Sequence, residues 1–345
     1  MYTTTANKIC RQITGECKYF MYAVQVIAPG QTEFVRIQRP YLEPGHVIVR
    51  PRYLSLCGSD VHMVYFGEIH EYPYGVGSSG HEMVGVVEAV DAPGSGIRVG
   101  DWVLTLSPSQ LAMTECFQAP AAHVFVLPSH RAPQLMLQAQ QLGTVIYSCK
   151  RLPNVLGKTV AVIGQGSAGI YFDFMLRRMG ASLVIGIDFE AARLSTAKKF
   201  GATHIIRNGA SNPLESLRAL TNGALADVVI EAAGESTSIN LAHQLVKKFG
   251  HLLYFGIPRN KTFDFDFGDF FERFCHTVSN SGTAFEPDHL STKQALQMIA
   301  SGDIDVEPLI THTFPLSRVM DAYELARSRG DNCIKILVEV PEITL

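Results

Sequence analysis

The stretch that decides the fold is "TVAVIGQGSAGIYFDFMLRRMG", residues 159–180. Its first five residues, Thr159 to Ile163, are mostly apolar and, Ala161 apart, β-branched, as suits a buried strand. Gly164-x-Gly166-x-x-Gly169 follows, and then a helical segment that ends on Arg177, Arg178 and Gly180. Basic residues suit the negative end of a helix, and glycine suits its left-handed cap. Each glycine of the triad has a steric reason. The first allows a tight turn, the second lets backbone approach a pyrophosphate, and the third lets strand and helix pack closely. The start of the helix adds unpaired N–H groups and partial positive charge. The next strand, "LVIGID", closes on Asp188, 19 residues after Gly169. A carboxylate there accepts ribose hydroxyls and repels a 2′-phosphate, which favours NAD over NADP. The expected cofactor site is Gly164, Gly166, Ser167, Ala168, Gly169 and Asp188, with Ala233 and Gly256 after later strands. Arg193 stands where it can stack on adenine or pair with Asp188.

Outward from this motif, strands and helices alternate from Thr159 to Gly282, giving six strands in a doubly wound parallel sheet. Before it the texture differs. From Met21 to about Leu127, short apolar runs such as "HVIVRPRYLSL", "MVGVVEAV" and "HVFVLP" are broken by Gly and Pro, as in a β-barrel. "QLMLQAQQLGTVIYSCKRL" reads as one helix leading into the sheet. The tail reads helix, helix, strand, too short for its own core. The expected organisation is an extension over 1–20, a β domain over 21–150, a nucleotide-binding domain over 151–283, and a return to the first domain over 284–345.

Composition narrows the function. The chain has 345 residues, 47% apolar and 18% charged, with net charge −3. Nothing draws it to nucleic acid or to an anionic membrane, and no apolar run reaches the roughly 20 residues of a membrane span. Seven scattered cysteines do not form a disulfide framework, which points to a reducing cytoplasm.

The β region carries the second motif, "LCGSDVHMVYFG…SSGHEMVGVV". Cys57 and His81 offer thiolate and imidazole, a donor pair that suits zinc. Glu82 can be a third ligand or an acid–base group, and Asp60 can orient the imidazole of His81. Taken alone, a cysteine in an apolar strand is core and a histidine before glutamate is surface.

Together the motifs make a more specific pattern. "CGSDVH" at 57–62, "GHEMVGVV" at 80–87, "GDWV" at 100–103, the glycine triad and "DVVIEAAG" at 227–234 fall in one order. The chain from Met21 to about Val340 thereby resembles the medium-chain dehydrogenase/reductase superfamily, in its zinc-containing alcohol and polyol dehydrogenase branch. The resemblance implies an α/β protein in which a GroES-like β-barrel catalytic domain is joined to a Rossmann domain, with the active site between them. It implies zinc on Cys57 and His81, a substrate hydroxyl bonded by Ser59, proton transfer to solvent by His62, and a homodimer or homotetramer. The edge strand "HTVSNSG" could pair with a second copy.

Two departures stand out. The family's lobe of four cysteines is missing, since "GDWVLTLSPSQLAMTECFQAPAAHVFVLP" holds Cys116 alone; no structural zinc is expected. The third zinc ligand, commonly Cys, Asp or Glu, aligns with Gln140, with Gln141 one residue off. An amide brings no charge to offset a dication, so Gln140 is a weak ligand at best. Cys149 lies more than two helical turns further on. Three readings follow: NAD-dependent, zinc-assisted hydride transfer with a secondary alcohol or polyol; a zinc-independent reductase of a conjugated or activated carbonyl; and a nucleotide-binding protein without turnover. Thr144 can touch the nicotinamide. Tyr65, Phe66, His70, Tyr72 and Tyr74, and the aromatic run at 263–274, can line the cleft or serve packing.

Overall fold

The computed structural model describes residues 20–106, 111–280, 282–283 and 286–341. The extension expected over 1–20 lies, apart from Phe20, outside the described residues.

Strands β1 (Phe20–Ala28) and β2 (Gln31–Gln38) form an antiparallel hairpin turned at Gly30, whose φ of 70° favours glycine. Strand β3 (His46–Ser55) is the axis of the β unit. Directly after it comes helix α1 (Gly58–Tyr65), so the residues of the first motif sit at a strand-to-helix corner. Along one edge β3 pairs with β4 (Met83–Asp91), which pairs with β5 (Trp102–Thr105). The first half of β3 also pairs with β6 (Phe117–Pro120), while β7 (Val124–Val126) joins β5. The sheet therefore curls back on itself, as a GroES-like barrel does.

The segment expected as one helix is two, α2 (Pro133–Met136) and α3 (Ala139–Cys149). Between them the ladder tightens to i→i+3 bonds, Gln138 N–H to Leu135 O and Gln140 N–H to Leu137 O.

The second unit follows in strict alternation: β8 (Thr159–Ile163), α4 (Ser167–Arg178), β9 (Leu183–Asp188), α5 (Ala191–Lys199), β10 (His204–Arg207), α6 (Pro213–Leu220), β11 (Ala226–Glu231), α7 (Ser236–Leu245), β12 (Val246–Tyr254), α8 (Phe267–Arg273) and β13 (His276–Ser279). The six strands are parallel in the order β10-β9-β8-β11-β12-β13. The order reverses between β8 and β11, and ligands of such sheets bind in the crevice at that point.

The tail departs from its expected pattern. It runs α9 (Leu290–Ser301), β14 (Ile310–Pro315), α10 (Val319–Ser328), β15 (Lys335–Glu339). Strand β14, "ITHTFP", is hidden in the sequence because its residues alternate between half-buried and exposed and include His and Thr. Strand β15 pairs antiparallel with β3, setting Leu337 opposite Ser55, so the chain's end reinforces the strand that carries the first motif. Helix α9 lies on α3 at a glycine: a Cβ on Gly143 would meet Thr292 Cα at 2.8 Å. One apolar cluster runs from Val84 and Leu104 of the barrel through Leu142 and Val145 of α3 to Val160 and Ile170 of the second unit. This shared core fixes the two units against each other and leaves a cleft between them.

Candidate active site

The cleft has a volume of about 510 Å³ and is lined by both motifs. Cys57 caps the N-terminus of α1, and its backbone N–H donates to Asp60 Oδ2 at 2.7 Å. His81 and Glu82 open the approach to β4. The donor atoms of Cys57, His81 and Glu82 lie within 4.8 Å of one another, the spacing of a metal-ligand set.

Electrostatics favour a cation there. Burial pushes the Cys57 thiol up, but the hydrogen bond with His81 and the charge of Lys335 outweigh it and leave the thiol below its ordinary value. Burial pushes His81 down, and the carboxylate of Asp60, with the Cys57 sulfur, more than reverses this. Asp60 Oδ1 lies 3.4 Å from His81 Nδ1. Burial raises Asp60 too, but His81 and bonds from Cys57 N–H and Ser79 Oγ hold it below the usual carboxylate range. Asp60 thus turns the imidazole so that its other nitrogen faces Cys57 and Glu82. Behind it, Tyr323 of α10 donates to Ser79 Oγ at 2.6 Å.

Glu82 has partners that the sequence did not reveal. Lys335 Nζ lies 2.6 Å from Oε2 and 2.8 Å from Oε1, and Ser55 Oγ donates to Oε2. Both Glu82 and Lys335 are buried. Of the two glutamines, Gln141 reaches the thiol: its Nε2 lies 3.7 Å from Cys57 Sγ, and its buried Oε1 has no partner among the described residues. Gln140 also lines the cleft. Cys149 is buried, and burial alone pushes its thiol up to about 12.

Ser59 and His62 face the same cleft from α1. Burial holds His62 below the ordinary imidazole value, with Glu71 opposing and Arg259 and Lys261 adding to the effect. A neutral imidazole is free to accept a proton.

The opposite wall is the glycine loop. Gly164 has φ 90°, and a Cβ there would lie 3.0 Å from Ala233 N; a Cβ on Gly169 would lie 1.9 Å from Gly164 O. Among the described residues, Gly166 has nothing within 4 Å of a Cβ position, and no side chain caps the start of α4. Open space and free N–H groups are what a pyrophosphate needs. Asp188 accepts Gln165 N–H at 2.6 Å and Glu190 N–H at 2.9 Å, fixing its carboxylate at the end of β9. Arg193 makes no ion pair with it; its guanidinium donates to Cys333 O at 3.0 Å. Ala168, Ala233 and Gly256 line the cleft, as do Arg259 and Arg329, which the sequence did not single out.

Residues 169–301 match the zinc-binding dehydrogenase family, and residues 43–129 match the alcohol dehydrogenase GroES-like domain. The chain belongs to the zinc-binding medium-chain dehydrogenases. The sorbitol dehydrogenase of Bacillus subtilis is 26% identical over 341 residues, covering 87% of this chain and 91% of its own. The L-threonine 3-dehydrogenase of the same organism is 26% identical over 332 residues, covering 87% and 92%. Among solved structures, the alcohol dehydrogenase TADH from Thermus sp. ATN1 superposes with a TM-score of 0.80 at 25% identity, covering 93% of this chain and 100% of its own. This medium-chain dehydrogenase therefore acts on CH–OH groups with NAD(P).

Other aromatic candidates fall outside the cleft. Tyr65, Tyr72 and Tyr74 pack on the barrel core, and the run at 263–274 forms α8 and the approach to it, with Phe270 packed on the apolar cluster of β11 and β12. Thr144 lines the cleft and donates to Gln140 O at 3.2 Å.

Proposed function

We propose that the chain transfers hydride between NAD and a secondary alcohol or polyol, or the matching ketone, with one zinc at Cys57, His81 and Glu82. The observation that carries this is the convergence of the three donors within 4.8 Å in the same cleft as the glycine loop. Zinc held there supplies Lewis acidity toward the alcohol oxygen. Ser59 orients the substrate hydroxyl, and His62, kept neutral by burial, takes its proton toward solvent. The glycine loop and Asp188 hold the dinucleotide, and Asp188 sets the preference for NAD. Gln140 aligns with the family's third-ligand position, but Gln141 is the amide that lies beside the thiol, and because an amide brings no charge to offset a dication, Cys57 and His81 would carry most of the binding. The four-cysteine lobe is replaced by a short connection, so we assign no structural zinc.

Strand β13 is the edge of the parallel sheet and all four of its residues are exposed. Pairing of this edge with a second copy fits a dimer. Among the described residues no helix is long and apolar enough to cross a membrane, and all five described cysteines are free. A reducing cytoplasm is the setting we propose.

One observation favours the zinc-independent reading: Glu82 is already held by Lys335 and Ser55. A panel of secondary alcohols and polyols, offered with NAD and with NADP, tests the function. Substrate-dependent NADH formation is the expected result; none with either cofactor leaves a nucleotide-binding protein.

A further inference from the structure

The cleft is also lined by two histidines to which the proposed reaction assigns no role. His123 follows β6, and His289 stands at the start of α9. Both line the cleft, and their rings lie 4.8 Å apart between centroids. Phe125 meets the ring of His289 edge-on at 5.8 Å and limits its movement. His289 and its neighbour Asp288 both have left-handed backbone, with φ of 51° and 55°. Such conformations are costly for residues other than glycine and cluster at functional sites. The Nδ1 of His289 is buried with no partner among the described residues.

The charges around the pair are already committed or exposed. Glu286 bonds Lys150 Nζ at 2.8 Å and Ser291 Oγ at 2.7 Å, and its other oxygen takes Ser291 N–H. It therefore caps α9 and is not a counter-ion for the histidines. Asp288 is exposed, and Lys293 leans over Phe125 at 6.0 Å. Burial, His123 and Lys293 together hold His289 below its ordinary value, against Glu286 and Asp288. The free wall is thus two adjacent imidazoles, and His123 discourages His289 from taking a proton. An incoming anion reverses that balance, because imidazolium donates strong charge-assisted hydrogen bonds to phosphate or carboxylate oxygens.

We propose that His123 and His289 form an anion-recognition subsite, and that the alcohol handled here carries a phosphate monoester or a carboxylate remote from its reacting hydroxyl. The proposal rests on the dehydrogenase reading for the second half of that statement, and on the histidine pair alone for the first. The test is a binding measurement, independent of turnover, on protein saturated with NADH so that the pyrophosphate site is filled. Sorbitol, sorbitol 6-phosphate and gluconate are titrated by calorimetry at about pH 6 and about pH 8.5, either side of the ordinary imidazole range. One anion is expected to bind about tenfold or more tighter than sorbitol at the lower pH, with the advantage shrinking at the higher. Which anion leads distinguishes phosphate from carboxylate. The double substitution His123→Gln, His289→Gln should remove the advantage and leave sorbitol affinity within about twofold. The wild-type comparison stands even if the variant fails to fold. No preference for either anion at the lower pH, including no binding of any of the three, overturns the proposal, as does an advantage that survives in the folded double variant. A failed alcohol screen with anion preference intact would instead count against the dehydrogenase reading.

Discussion

Lys335 and Glu82, 253 residues apart in sequence, form a buried ion pair of 2.6 Å, and Glu82 is itself one of the three candidate metal donors. Strand β15 brings the lysine there by pairing with β3. The pair joins strand β15 to the motif that opens the site, and it fixes the Glu82 carboxylate beside His81.

Removing one partner leaves the other charge buried and alone. Lys335→Met should therefore lower stability by about 3–5 kcal/mol, and combining it with Glu82→Gln should recover most of the loss. Urea denaturation of the single and double variants measures both effects. A double variant no more stable than Lys335→Met would show that packing of the lysine stem, not charge pairing, dominates.

The amide beside the thiol gives a second test. The Gln141 amide nitrogen lies 3.7 Å from Cys57 Sγ, and Gln141→Glu, which puts a carboxylate in its place, should tighten zinc about tenfold or more in competition with a chromogenic chelator. Gln140→Glu should change zinc affinity by less than about twofold, because neighbouring residues of a helix point about 100° apart. Equal effects of the two substitutions would contradict the placement of Gln141.

That distinction marks where the sequence stopped being readable. The glycine triad, Asp188, Cys57 and His81 were legible because each needs one residue type at a fixed local spacing. The choice between Gln140 and Gln141 depends on the phase of α3, and the tightened turn at Leu137–Gln138 resets that phase without a glycine or proline to announce it. Lys335 and Tyr323 were not legible, since each reaches the site only through tertiary packing from the far end of the chain. Strand β14 was missed because its polar residues carry too weak an apolar alternation.

In the proposed function Asp188 is the residue that sets the cofactor preference. Asp188→Ala should raise the NAD dissociation constant about 10- to 100-fold, since a hydrogen bond to a charged group contributes about 1.5–3 kcal/mol. It should also narrow the ratio of kcat/KM for NAD over NADP. An unchanged ratio would place the ribose elsewhere.

Asp173 of α4 is buried with both carboxylate oxygens unpartnered among the described residues, and burial holds its pKa well above the carboxylate range. A raised folded-state pKa gives stability that is fully present below the unfolded value of about 3.9 and is lost as pH rises through the folded value. Asp173→Asn removes that loss. Its melting temperature should exceed the wild type's by a margin that widens from acid to neutral pH. A constant margin would mean that Asp173 does not change protonation on unfolding.

The measurement that bears most directly on the central claim is zinc content alongside NADH formation, in protein purified without chelator and again after chelation and reloading. The account predicts close to one tightly held zinc per chain, with activity lost on chelation and restored by zinc. Less than about half an equivalent of zinc with alcohol-dependent NADH formation intact would contradict it.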